Sequence, residues 1–437
     1  MNDIHFKQNY FVSKVLPNGD IAVYSPRGSA ELFLLSGFAL RVFNAIKENS
    51  LGSLTEDENL KAVLGLFARE GLIGLEECPP TTGTSGQVQR HWQKLSFWVH
   101  TTERCNLRCK YCYTTKGTAT LTEEVSRTFV AALKQDCLLK GVMEIDLKFA
   151  GGEPLLAMPS VVFLMKHARA ELEPLGVRIT LSIITNGTLL NEENVDSLKR
   201  SKFTVMVSLD GILGYNASRV YPNGNPSFDH VMKGLSLLDR AGVRPIILSV
   251  ISNTNLAGFK ELVDFVVARN YTLGISFSRE CIGMPKTLAM SFEEVESVLL
   301  PQLEWLANAT LDKYPSISFN GIKFSGKRSR ICSACTRYFG LTPKGGISSC
   351  QMTIDTPLVD TISPEEGICS LATLYIARNI PEKCLQCHWR FACSNGCDVL
   401  AKETGTVNEH PFCSIYELLM PFLMTIEARK LQELRKR

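Results

Sequence analysis

The sequence predicts an α/β protein with a parallel sheet at its centre. A small strand-then-helix domain precedes the sheet and a cysteine-rich region follows it. Apolar β-type runs alternate with helical stretches between residues 93 and 290, the pattern of repeated βα units. Before them, short strands give way to helical periodicity within residues 1–78. After them, residues 331–437 are irregular in composition and hold cysteines at close spacing.

A chain of 437 residues is too long for one ordinary core and implies two or three domains. With 45% hydrophobic and 21% charged residues, the composition is that of a globular protein. A net charge of +3 gives no general attraction to nucleic acid or membrane, and neither is expected as a partner. The opening Met1-Asn-Asp-Ile-His-Phe-Lys7 is not a secretory signal, and no uninterrupted apolar run is long enough to span a bilayer. Fifteen cysteines without an export signal point to metal or cluster ligation in a reducing cytoplasm.

In the first domain, Phe11 to Leu16 and Ile21 to Tyr24 are β-type runs around Pro17-Asn-Gly-Asp20, a turn containing Asn-Gly. Ala30 to Leu35 is a third strand. Leu40, Phe43 and Ile46 then fall at helical spacing. A capping-box pattern at Thr55-Glu-Asp-Glu58 precedes Leu60, Val63, Leu64 and Phe67, and Gly71 ends that helix. Residues 79–92, rich in Pro, Gly, Thr and Ser, read as a linker. Expected strands of the central domain are 95–102, 145–150, 178–185, 203–209, 244–251 and 271–278. Expected helices lie near 122–139, 159–173, 191–200, 227–241 and 256–269. A helical segment at 291–310 leads through a bridging region (291–330) to the tail, which a helix closes from about 414.

The chemistry-bearing residues fall where the strands end, and in α/β barrels those ends form the active mouth. After the first strand comes Cys105-Asn-Leu-Arg-Cys109-Lys-Tyr111-Cys112. Three thiolates on one loop can hold three irons of a [4Fe–4S] cluster and leave the fourth open, whereas structural zinc prefers paired units that close all four positions. After the second strand stands Gly151-Gly152-Glu153-Pro154. After the third stands Thr185-Asn186, and after the fourth Ser208-Leu-Asp210, with Arg219 in the following loop. Asn253 follows the fifth strand, and Ser276 lies on the sixth.

This constellation resembles the radical S-adenosylmethionine (SAM) family, whose fold is a partial (β/α)6 TIM-type barrel. The resemblance implies that Cys105, Cys109 and Cys112 bind the catalytic cluster and that its open iron chelates SAM. It further implies SAM contacts from Tyr111, Gly151, Gly152, Glu153, Pro154, Thr185, Asn186, Ser208, Asp210, Arg219, Asn253 and Ser276. Ser208 and Asp210 would lie near the ribose, and Arg219 would pair with the SAM carboxylate. On the residues alone, the alternative is that Ser208 and Asp210 cap a following helix and Arg219 is solvated.

In the tail, Cys335 is followed by Gly345 and Cys350, then Cys384-x2-Cys387-x5-Cys393-x3-Cys397 and Cys413, with Cys332 just upstream. Zinc ribbons share such spacing. The pattern resembles the SPASM domain, which implies one auxiliary [4Fe–4S] cluster on Cys332, Cys335, Cys350 and Cys397 and another on Cys384, Cys387, Cys393 and Cys413. Three clusters in all are then expected. Residues 1–78 resemble the PqqD-like winged-helix domain that binds leader peptides. A DNA-binding winged helix fits less well, since residues 1–75 carry seven Lys/Arg against eight Asp/Glu.

Together these resemblances imply a peptide maturase. It would cleave SAM to a 5′-deoxyadenosyl radical and install a carbon–carbon, thioether or ether crosslink in a ribosomally made precursor. The partners would be that precursor, leader and core, and an external one-electron donor such as flavodoxin or ferredoxin. An anaerobic sulfatase-maturing activity is the related alternative. Its aspartate base is replaced here by Gln351, leaving Glu280 and Asp210 as other carboxylates. A non-enzymatic iron–sulfur or zinc regulator is the alternative from another class.

Overall fold

A computed structural model describes residues 6, 11–54, 58–73, 93–278, 285–309, 317–328, 330, 332–374, 379–403 and 412–436. The expected capping box at Thr55 and the carboxylate of Glu280 lie outside them, as do Cys78 and Cys281.

Strands β1 (Val12–Val15), β2 (Ile21–Tyr24) and β3 (Leu32–Leu35) form an antiparallel sheet in that order. Ala30, expected within β3, instead adopts φ 58° and turns the chain before the strand begins. Helices α1 (Gly37–Lys47) and α2 (Glu58–Arg69) cover one face, where Val23, Phe43, Ile46, Leu60 and Phe67 make a separate small core.

The other face of this sheet is not solvated. Alternation sends Ala22, Tyr24, Leu32 and Leu34 into the main core of the molecule. Tyr24, 0% exposed, stacks on Trp389 at 5.7 Å and meets Phe324 edge-on at 5.4 Å. The edge of β3 is also taken. Leu32 N donates to Phe324 O at 2.9 Å, Gly326 N donates to Ala30 O at 3.0 Å, and Arg435 reaches Leu34 O at 3.4 Å. Strand addition by a leader peptide at β3 would therefore have to displace the protein's own segment. β1, whose Val15 is 65% exposed, carries the other edge. Tyr24→Ala removes the aromatic centre of this contact and is expected to cost about 3–5 kcal/mol. A lower urea midpoint and early proteolytic separation of the first domain would be observed. An unchanged midpoint would show that the contact contributes nothing.

All six expected central strands are present, parallel and in sequence order: β4 (Lys94–His100), β5 (Glu144–Ala150), β6 (Arg178–Thr185), β7 (Thr204–Ser208), β8 (Ile246–Ile251) and β9 (Thr272–Phe277). Between them run α3 (Glu123–Lys140), α4 (Met158–Leu172), α5 (Glu192–Arg200), α6 (Phe228–Arg240) and α7 (Phe259–Ala268). Local chemistry sets the ends. Thr122 caps α3 by accepting from Val125 N, Gly141 ends it at φ 70°, and Asn191 and Asn194 form a reciprocal capping box on α5.

The expected helix at 291–310 is broken into α8 (Phe292–Glu294), a π turn (Val295–Leu299) and α9 (Leu300–Asn308). Pro301 lacks the N–H that a regular ladder would need at that point. The sheet is wider than expected. β10 (Ile317–Phe319) pairs with β9, β11 (Tyr338–Leu341) runs parallel to β4, and β12 (Ile347–Ser348) closes the far edge. The tail thus continues the barrel sheet. Short helices α10 (Glu382–Gln386) and α11 (Asp398–Glu403) follow, and α12 (Cys413–Lys436) packs on α9, β2 and β3. Among the described residues, no helix is long and apolar enough to cross a membrane.

Candidate active site

The cysteine loop has no regular structure of its own and is held from several sides. After β5, Gly151 takes φ 132°, and a side chain on Gly152 would meet Arg104 O at 2.1 Å. This close approach lets Gly152 N donate to Thr102 O at 2.7 Å and Glu153 N donate to Arg104 O at 2.8 Å. On the far side, Arg108 N donates to Val220 O at 2.7 Å and Lys110 N to Ser218 O at 2.9 Å. Asn106 exchanges bonds with Asn186 (2.9 Å) and Thr188 (2.8 Å) at the end of β6.

Cys105, Cys109 and Cys112 are all free and half-buried, and their sulfurs lie within electrostatic range of one another. Burial raises Cys105, and it raises Cys109 to about 11 against the opposing pull of Arg219. Burial also disfavours the Cys112 thiolate. There Lys116 Nζ, donating to Cys112 Sγ at 3.0 Å, and Thr114 outweigh it, and the pKa falls. Among the described residues no three His, Cys, Asp or Glu side chains converge on a point suited to one metal ion. A cubane spreads its ligands over separate irons, so a loop presenting three neighbouring thiols fits that group.

Glu153, 0% exposed, points into the protein. It accepts from Thr185 Oγ1 (2.7 Å), Asn186 N (2.8 Å) and Leu155 N (3.1 Å), and Pro154 begins the turn that follows. Thr185 and Asn186 are likewise committed to the scaffold. Among the described residues nothing donates to the carbonyl oxygens of Gly151 and Gly152, which leaves two acceptors at the mouth suited to an ammonium group.

Asp210 departs from expectation. Its carboxylate accepts from Tyr111 Oη, from Arg219 Nε (3.0 Å) and Nη2 (3.2 Å), and from Val250 N (3.1 Å). Both residues of the pair are buried, and Arg219 also lies 5.4 Å from the Tyr111 ring centre. Asp210 therefore engages one edge of Arg219, Nε with Nη2, and these four bonds fill its own acceptor sites. A charge this deep is tolerated only when paired. Ser208 remains half-buried at the end of β7. Asn253 donates to Thr287 O at 2.7 Å, while its Oδ1 is buried without a partner, an acceptor available to a ligand amino or hydroxyl group. Ser276 accepts from Asn320 at 3.3 Å.

In the tail, Cys384, Cys387, Cys393 and Cys413 line one small cleft, with Trp389 and Tyr416 beside them. Cys332, Cys350 and Cys397 lie within electrostatic range of one another, and burial raises Cys350 to about 11. Cys335 is fully buried and its thiol reaches Leu371 O at 3.8 Å. Cys384, Cys387, Cys393 and Cys413 thus form one group of thiols, and Cys332, Cys350 and Cys397 another. Gln351 accepts from Tyr338 Oη.

Sequence reasoning missed Lys116 and His100. A lysine four residues after the last loop cysteine was the only hint of the first. His100 is 2% exposed, its Nδ1 has no partner, and burial lowers it to about 4 despite Asp355 nearby.

Burial raises Glu153 to about 7, outweighing the donors that face it. Between its ordinary pKa of 4.5 and about 7, the folded chain therefore holds a proton that the unfolded chain releases. Stability from this group is complete below that window and is lost as pH rises through it. Glu153→Gln is expected to gain stability relative to wild type as pH climbs from 4.5 to 7. The opposite slope from His100 is common to both proteins and cancels. A urea-midpoint difference that stays flat with pH would refute this.

Residues 99–266 match the model of the Radical SAM superfamily, so this stretch is a radical SAM domain. An uncharacterized Methanocaldococcus jannaschii protein, MJ0907, is 30% identical over 38% of this chain, and the alignment spans only 56% of that relative. The radical SAM cyclopropyl synthase TigE of Paramaledivibacter caminithermalis is 24% identical over 74% of this chain and 72% of its own length. Among solved structures, an anSMEcpe structure with bound AdoMet superposes with a TM-score of 0.64 at 20% identity, covering 77% of this chain and 99% of that one. SuiB of Streptococcus suis bound to the precursor peptide SuiA gives 0.54 at 15% identity, over 94% and 99%. The two superpositions establish likeness of fold.

Proposed function

We propose that this protein is a radical SAM peptide maturase that installs an oxidative crosslink in a ribosomally made precursor. The observation that carries the reading is the cysteine loop strapped onto Gly151-Gly152 at the mouth of a parallel barrel. Cys105, Cys109 and Cys112 would hold a [4Fe–4S] cluster, and the two tail groups would hold auxiliary clusters. When bound, the first cluster supplies the electron that splits SAM into methionine and a 5′-deoxyadenosyl radical. The carbonyls of Gly151 and Gly152 would accept from the SAM ammonium, and Asn253 Oδ1 would accept from the nucleoside. The Asp210–Arg219–Tyr111 network fixes the loop against the ends of β7 and β8.

The likeness to SuiB in complex with its precursor peptide SuiA supports a peptide as substrate. Residues 1–78 would bind its leader, and tethering would raise the concentration of the core at the barrel mouth. A cytoplasmic flavodoxin or ferredoxin would supply the electrons. Forming the new bond removes two hydrogens from the peptide. That loss amounts to one hydrogen atom plus one proton and one electron, and clusters held by the two tail groups of thiols would serve as the electron acceptor. Gln351, bound to Tyr338, offers no carboxylate base, which disfavours sulfatase-type oxidation.

The test is incubation of anaerobically reconstituted protein with SAM, dithionite and a short peptide encoded beside its gene. Formation of 5′-deoxyadenosine and a peptide lighter by two hydrogens are expected. A reconstituted protein that makes no 5′-deoxyadenosine, with or without peptide, would overturn the proposal.

A further inference from the structure

The concave face of the barrel sheet is built in rungs. Registry between β4, β5 and β6 places Lys94, Glu144 and Arg178 side by side, then Ser96, Asp146 and Thr180, then Trp98, Lys148 and Ser182. The residues between them face the helices: Phe97 packs on Phe129 of α3 at 5.0 Å, and Leu147 and Phe149 belong to the main core. Period two therefore turns the rung residues to the barrel interior.

The lower rungs satisfy themselves. Glu144 pairs with Arg178 and with Lys94 at 3.7 Å, and Thr180 donates to Asp146 at 2.9 Å. The third rung does not. Trp98 Nε1 and Ser182 Oγ are buried without a hydrogen-bond partner, and Ser182 is 5% exposed. Lys148 between them makes no ion pair among the described residues, although Asp146 is two positions away on the same face. One step higher, His100 Nδ1 is also unpartnered. An indole N–H, an ammonium and a hydroxyl on adjacent strands are two donors and a cation facing one space. Buried donors left open cost stability unless something fills them, and a carboxylate has the charge and the acceptor oxygens to engage all three.

We infer that Trp98, Lys148 and Ser182 form a carboxylate-binding site for the peptide substrate. The segment entering the barrel then carries an Asp or Glu side chain or the free C-terminus. This rests on the peptide-maturase reading above and narrows it.

The test is equilibrium binding to the anaerobically reconstituted full chain saturated with SAM, followed by calorimetry. Three probes are compared: acetyl-Gly-Asp-Gly-amide, acetyl-Gly-Gly-Gly with a free C-terminus, and neutral acetyl-Gly-Asn-Gly-amide. One of the acidic probes is expected to bind at least about tenfold tighter than the neutral one, the size of a charge-assisted bond, and which one it is identifies the source of the carboxylate. Lys148→Met should erase the preference, Lys148→Arg should retain it, and Ser182→Ala and Trp98→Phe should each reduce it. Equal binding of all probes, or a preference that survives Lys148→Met, would overturn the inference. So would a preference that appears only without SAM, since SAM's own carboxylate would then be the occupant. Reductive SAM cleavage, measured in parallel, separates the two ideas. Cleavage without acid preference sinks only this site, and acid preference without cleavage sinks only the radical SAM activity.

Discussion

Replacing Cys105, Cys109 and Cys112 together with alanine is expected to lower SAM cleavage to the level of a cluster-free control. Iron content of reconstituted protein should fall by about four atoms per chain, one cubane. The fold should survive, because the loop is held by backbone bonds from Thr102, Arg104, Arg108 and Lys110, none of which uses a sulfur. The contrasting variant is Cys384→Ala. It alters the tail cleft and should leave SAM cleavage intact while impairing completion of the peptide product. Triple-variant protein that still forms 5′-deoxyadenosine at the wild-type rate would place the reactive centre elsewhere.

Asp210→Ala should carry the largest stability loss of any single polar substitution at the site. It strands the buried Arg219 guanidinium and removes the acceptor for Tyr111 Oη and Val250 N. Breaking a buried pair from one side costs about 3–5 kcal/mol, mostly for the charge left behind. The double variant Asp210→Ala/Arg219→Met carries no orphan charge and should recover a large part of that loss. Urea midpoints of the three proteins decide it. If the double variant is no more stable than Asp210→Ala, the cost lies in the Tyr111 and Val250 bonds instead.

The barrel strands were legible as apolar β-type runs between turn-forming residues, some at period two, as in Glu144-Ile-Asp-Leu-Lys-Phe-Ala150, and some nearly continuous, as in Ile246-Ile-Leu-Ser-Val-Ile251. Helices near 122–139 and 191–200 were legible as well, and the structure ends them through Thr122, Gly141 and Asn191. β11 was not, since its parallel partner Ser96 is remote in sequence and Tyr338-Phe-Gly-Leu341 has no pattern that names it. Nor was the docking of the first domain. Ile21-Ala-Val-Tyr24 is buried on both faces, which an ordinary three-stranded sheet with one helical cover does not require. At the site, sequence indicated which residue types gather at the strand ends but not where their charges point. Asp210 and Arg219 have the right chemistry for a ligand, yet they face each other. The same blindness hid Lys148, whose place inside the barrel is evident only once registry with Trp98 and Ser182 is known.

The backbone bonds that strap the cysteine loop use no sulfur, so folding itself contributes to its shape. Part of the ordering cost of that segment is then met during folding, leaving less conformational search for incoming metal and sulfide. Maturation in the cell should accordingly be limited by delivery of those inorganic parts, with a folded, iron-free chain as the species that accumulates under iron starvation.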